Sequence, residues 1–86
     1  MPLYFCAHTT ACLTKQALGE LMRQLMAAPE VKVKRLVASQ LGGRMLTEVE
    51  APDQPTLQRF FAAHRVNCEW VMRIDLDGEG GKVTEY

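Results

Sequence analysis

The strongest constraint on this chain is the pair Gly42-Gly43, set between two β-forming segments at residues 33–40 and 44–51. Adjacent glycines supply the positive φ that a tight hairpin needs. With a two-residue turn, Leu41 faces Arg44, Leu36 faces Val49 and Ala38 faces Thr47 on one side. On the other side Arg35 faces Glu50, Val37 faces Glu48 and Ser39 faces Leu46. One surface of the ribbon is then apolar, and the other carries an opposite-charge pair, the arrangement that cross-strand energetics favour.

The segments around this hairpin extend the pattern. Residues 3–8 form a hydrophobic, β-rich first strand. Thr14 is placed to cap a helix, with Leu13 packing on Leu18 as a hydrophobic staple. Leu18, Leu21, Met22 and Leu25 follow helical spacing, Gly19 weakens that helix by about 1 kcal/mol, and Pro29 closes it. Residues 51–55 break the second strand of the hairpin, and Asp53 caps a second helix with Leu57, Phe60, Phe61 and His64 on its apolar stripe. His64 at its end favours the negative pole of the helix dipole. Residues 67–76 alternate, with Cys68, Trp70, Met72, Ile74 and Leu76 on the core side and Glu69, Val71, Arg73 and Asp75 on the other. The order β-α-β-β-α-β with a central hairpin predicts a ferredoxin-like α+β fold, a four-stranded antiparallel sheet with both helices on one face. Residues 1–76 make the domain. Residues 77–86, rich in glycine, are expected as a flexible tail or an addition to a partner.

Composition narrows the function. The chain has 86 residues, 10 basic and 10 acidic, so its formal net charge is zero. A neutral surface lacks the positive field that nucleic-acid backbones require. No run reaches the roughly 18 apolar residues of a membrane span, and the start lacks the basic and apolar regions of a signal peptide. Three cysteines, Cys6, Cys12 and Cys68, form no CxxC pair, which argues for buried thiols and a reducing, cytoplasmic setting. A chain this short buries little surface alone, and pairing with a copy of itself is a common remedy.

The sheet face away from the helices is expected to hold Arg35, Val37, Ser39, Glu48, Glu50, Glu69, Val71 and Arg73. Strand one adds Tyr4, Cys6 and His8 rather than Leu3, Phe5 and Ala7, because Leu3 and Phe5 belong with the helices. Two such faces brought together by a two-fold axis would enclose a cavity. In that cavity Tyr4, Arg35, Ser39 and Glu48 are candidate ligand contacts. His8, with an ordinary pKa near 6.5, and Arg73 are candidate catalytic groups. Cys6, His8 and Glu48 offer sulfur, imidazole and carboxylate donors suited to zinc or nickel. Lys32, Lys34 and Arg35 form a short basic cluster for a solvated strand end or an anionic ligand. A cofactor-free enzyme with His8 as general base or acid and Arg73 or Arg35 holding an anionic substrate is an alternative; the start Met1-Pro2-Leu3-Tyr4-Phe5 resembles the tautomerase superfamily, whose amino-terminal proline is a general base, and that resemblance implies an isomerase with Pro2 as base. An interaction module using the open face or a sheet edge is the third alternative.

The stretch Val33-Lys34-Arg35-Leu36-Val37-Ala38-Ser39, the short turn, and a strand ending in Glu50-Ala51-Pro52-Asp53 before a helix and a last strand resemble a family of small, uncharacterised ferredoxin-like proteins. These form dimeric α/β barrels, and some bind nickel. The resemblance implies a homodimer with a metal or small-molecule site. Phe60 stands where that family tends to carry a histidine, and the loop after the helix is shorter.

Overall fold

The computed structural model describes residues 1–10 and 14–86. Cys12 and the expected staple between Leu13 and Leu18 fall outside the described residues. In chain order the elements are β1 (Leu3–Thr9), α1 (Lys15–Met26), β2 (Lys32–Ser39), β3 (Arg44–Glu50), α2 (Gln54–Ala63), β4 (Trp70–Arg73), β5 (Leu76–Glu79) and β6 (Lys82–Glu85). Four strands form an antiparallel sheet in the order β2-β3-β1-β4, and β5 and β6 form a separate two-stranded sheet.

Both helices start where the capping residues put them. The Thr14 hydroxyl accepts from the Ala17 amide at 3.0 Å, and the Asp53 carboxylate accepts from the Thr56 amide at 2.8 Å. Helix α2 has Pro55 in its first turn, where a missing amide proton costs nothing. It ends in a Schellman arrangement: Val66 N donates to Phe61 O at 2.9 Å and Arg65 N to Ala62 O at 3.0 Å. Arg65 takes the left-handed conformation, φ 58°, that glycine usually occupies there. The core joins Tyr4, Cys6, Val33 and Val49 of the sheet to Leu25 of α1 and Leu57, Phe60 and Phe61 of α2. Leu25, Leu57 and Phe61 are fully buried, each worth about 1.5–3 kcal/mol of transfer free energy.

The central hairpin keeps the expected faces but not the expected partners. Arg35 lies opposite Glu48, Leu36 opposite Thr47, Val37 opposite Leu46 and Ser39 opposite Arg44. The turn is therefore two residues longer than a two-residue loop, and the ribbon is slipped by two positions. Side chains alternate with period two, so an even slip leaves every residue on its own side. A bulge between Val33 and Arg35 lets Val33 point inward while Lys34 and Arg35 stay exposed.

Two strands show the opposite face from the one expected. In β1 it is Tyr4, Cys6 and His8 that face the helices, in register with Val49, Thr47 and Met45. Phe5 turns to the open side, opposite Glu48 and Met72. In β4 Val71 packs against the core, while Trp70 and Met72 are exposed. The reason is antiparallel pairing: once Val49 and Thr47 point inward on β3, their cross-strand partners must as well. The last strand is also shorter than the expected 67–76 segment. Cys68 precedes it and packs on the core, and Leu76 begins β5. Residues 76–86, expected as a tail from 77 onward, form a hairpin whose turn is Gly80-Gly81, with φ of 61° and 80°.

Candidate functional site

The register arranges the open face of the sheet in rows. One row crosses all four strands as Trp70, Ala7, Leu46 and Val37. The next runs Met72, Phe5, Glu48 and Arg35. Beyond it come Leu3, Glu50 and Lys32. The first row is wholly apolar, and the second is apolar at β4 and β1 and charged at β3 and β2. Val37, Leu46, Trp70 and Met72 remain 43%, 41%, 45% and 49% exposed. Apolar side chains exposed singly need no explanation, whereas a contiguous group on one face marks a surface that meets something.

A depression of about 160 Å³ lies on this face, lined by Phe5, Arg35, Val37, Leu46, Thr47 and Glu48. Arg35 is exposed and takes part in no ion pair among the described residues. Lys34 by contrast is engaged, 3.3 Å from the Glu50 carboxylate. That bond first, and the nearby charges of Tyr86, Glu50 and Glu48, raise the Lys34 pKa. An unpaired guanidinium at the edge of an apolar hollow is suited to an anionic group on an otherwise apolar molecule.

The residues predicted for this site divide between the two sides of the sheet. Arg35, Ser39 and Glu48 are on the open face as expected. The Ser39 hydroxyl, however, accepts from the Gly42 amide at 3.0 Å and so serves the β2–β3 turn. Arg73 lies opposite Tyr4 on the edge strand and so falls on the helix side rather than on the expected open face; it is exposed, 3.8 Å from Asp75. Tyr4, Cys6 and His8 are buried beneath the helices, on the opposite side from Glu48, so the sulfur, imidazole and carboxylate do not converge. No group of three or more His, Cys, Asp or Glu side chains among the described residues is placed to hold a metal ion.

His8 has a defined place in that interior. Its Nδ1 donates to the Asn67 carbonyl at 2.8 Å, since a carbonyl can only accept. In the neutral ring Nε2 is then an acceptor, and the Thr47 hydroxyl 2.8 Å away donates to it. The imidazole also packs on Phe61, ring centroids 4.5 Å apart, and Cys68 Sγ lies 3.7 Å from Nδ1. Burial lowers the His8 pKa, opposed by the Asn67 carbonyl and the Glu69 charge. Burial likewise pushes the Cys6 thiol up to about 12, with the Thr47 hydrogen bond pulling back and Cys68 adding to the rise. Every buried side-chain nitrogen and oxygen among the described residues has a partner. The chain Thr47–His8–Asn67 is a closed polar strut whose ring nitrogens are both engaged.

Asn67 is held by the turn that ends α2, and its side chain accepts from the Thr9 amide at 2.9 Å. At the same end of the sheet Glu69 accepts from the Thr9 hydroxyl and pairs with Arg44 at 3.0 Å. Phe5, Trp70 and Met72 are the open-face residues that sequence reasoning missed. The signal for them was the parity of β3 carried across to β1 and β4. Comparison with protein-family models, with curated proteins and with solved structures finds no match for this chain. No helix among the described residues is long and apolar enough to cross a membrane.

Proposed function

We propose that this chain is a homodimeric binding protein with the ferredoxin-like arrangement, in which two open sheet faces meet around a small ligand. The observation that carries the reading is the pair of rows Trp70–Ala7–Leu46–Val37 and Met72–Phe5–Glu48–Arg35 on the side the helices leave bare, with Trp70, Leu46, Val37, Met72 and Arg35 exposed. A second copy suits this surface because it is self-complementary. Arg35 and Glu48 lie side by side, so a two-fold rotation sets each against its opposite charge while apolar rows cover each other. Face-to-face sheets pack about 10 Å apart, close enough to dehydrate Trp70 and Met72 and to leave room where Phe5 and the hollow lie. The ligand class that fits is a small apolar or aromatic molecule with one anionic group, its body on Phe5, Trp70 and Met72 and its charge on Arg35.

The enzyme reading with His8 as base has less support, because both ring nitrogens are engaged within the core and the ring faces away from the hollow. A direct test uses the aromatic anion 1-anilinonaphthalene-8-sulfonate, with Trp70, the one tryptophan of the chain, as energy donor. The intact protein should bind the probe saturably, Arg35→Ala should weaken it about tenfold, and Leu46→Glu should abolish it. Binding by both variants at wild-type affinity would reject the site.

A further inference from the structure

The β5–β6 hairpin leaves its own apolar side chains uncovered. Every residue of both strands is exposed. Its cross-strand pairs set Leu76 and Glu85, and Gly78 and Val83, on one face, and Asp77 and Thr84, and Glu79 and Lys82, on the other. Leu76 is 64% exposed and Val83 70%, so the only large aliphatic side chains of the hairpin share a face that nothing covers. A lone two-stranded hairpin is marginally stable in water. This one is nevertheless built for rigidity: Gly80 and Gly81 both take positive φ, the primed turn that matches strand twist.

We infer that β5–β6 is an arm that clasps a second copy of the chain, its Leu76–Val83 face lying against the start of the partner's β2. The inference rests on the face-to-face dimer proposed above and names what holds its rim. Position supports it. The arm leaves from the edge of the open face, where Ile74 N donates to Leu3 O at 2.9 Å and Tyr86 N to Asp75 O at 2.9 Å. Charge supports it independently. Between residues 76 and 86 the arm carries Asp77, Glu79 and Glu85 against Lys82 alone. The start of β2 carries Lys32, Lys34 and Arg35, all exposed. Glu85 shares the apolar face, so docking that face brings a carboxylate to the basic cluster. Strand β2 is also an outer strand of its sheet, with one side unpaired, the kind of edge that folded proteins cover.

Sedimentation equilibrium on full-length variants tests the clasp. Leu76→Ser combined with Val83→Ser should raise the dimer dissociation constant about 30-fold, with the far-UV circular dichroism of the sheet and helices retained. Glu85→Lys should weaken the dimer, and adding Lys32→Glu in the same chain should restore it, since each copy then carries both changes. If the serine double variant dimerises as tightly as wild type while Leu46→Glu is monomeric, the arm does not clasp and the face pairing stands. If the unaltered chain is itself monomeric throughout, the paired faces and the clasp both fail.

Discussion

The two faces of the central sheet hold similar mixtures of side chains and treat them differently. Beneath the helices, Tyr4, Val33, Val49 and Val71 share the interior with Cys6, His8 and Thr47, and each polar atom there has a partner within the chain. On the open side, Phe5, Val37, Leu46, Trp70 and Met72 share a surface with Arg35 and Glu48, where the guanidinium has no ion pair among the described residues and the apolar groups meet water. The buried face is chemically closed and the open one is not. A polar group in a core is a matter of stability once its hydrogen bonds are complete. The binding surface proposed above accordingly uses the aromatic and arginine rows, where satisfaction is incomplete, rather than the histidine.

Substitutions should separate the faces by the property they disturb. Phe61→Ala, which removes a fully buried ring from against His8 and Phe60, should cost about 3–5 kcal/mol in urea denaturation. Leu46→Ala on the open face should cost under about 1 kcal/mol in the isolated protomer and act instead on assembly. Next in size, Thr47→Val keeps the shape of the side chain but leaves His8 Nε2 without its donor. A loss of about 1–3 kcal/mol is expected, and an unchanged midpoint would show that the strut bears no load.

Acid should distinguish the faces again. His8 is held neutral, with its folded pKa below the ordinary value of 6.5. The folded state therefore binds fewer protons than the unfolded chain as pH falls below that value. Stability from this group is fully present above about 6.5 and is lost as pH falls through the folded pKa. Thermal midpoints measured down that range should decline, and His8→Gln should flatten the part of the decline that His8 causes. The smallest effect expected is a gain: Arg65→Gly relieves the left-handed residue after α2 and should stabilise by about 0.5–1 kcal/mol. A neutral result would mean that the arginine side chain offsets its backbone cost.

Legibility in the sequence followed how strongly each strand distinguishes its two sides. In β2 and β3 the charges of Arg35, Glu48 and Glu50 against Leu36, Thr47 and Val49 mark the faces, and the assignment survived a slip of two positions because parity did. In β1 both sets are apolar enough to bury. Leu3, Phe5 and Ala7 outrank Tyr4, Cys6 and His8 in hydrophobicity, yet pairing with β3 decided the matter. The same holds for β4, where Trp70 looked like core and Val71 is the residue that packs there. Glycine pairs misled in a related way. The two-residue turn assigned to Gly42-Gly43 occurs at Gly80-Gly81. Gly43 instead fits a longer turn, at φ 63° with its Cβ position 3.1 Å from the Thr10 carbonyl. The end of α2 carried no glycine to announce it, so the turn that positions Asn67 against His8 was not readable.

The central claim is that a second copy covers the open face. Its most direct measurement is the sedimentation-equilibrium mass of the intact chain beside that of Leu46→Glu over a wide range of concentration. The account predicts twice the 9.7 kDa chain mass for the unaltered protein and the single-chain mass for the variant, both folded. A single-chain mass for the unaltered protein at every concentration would contradict it.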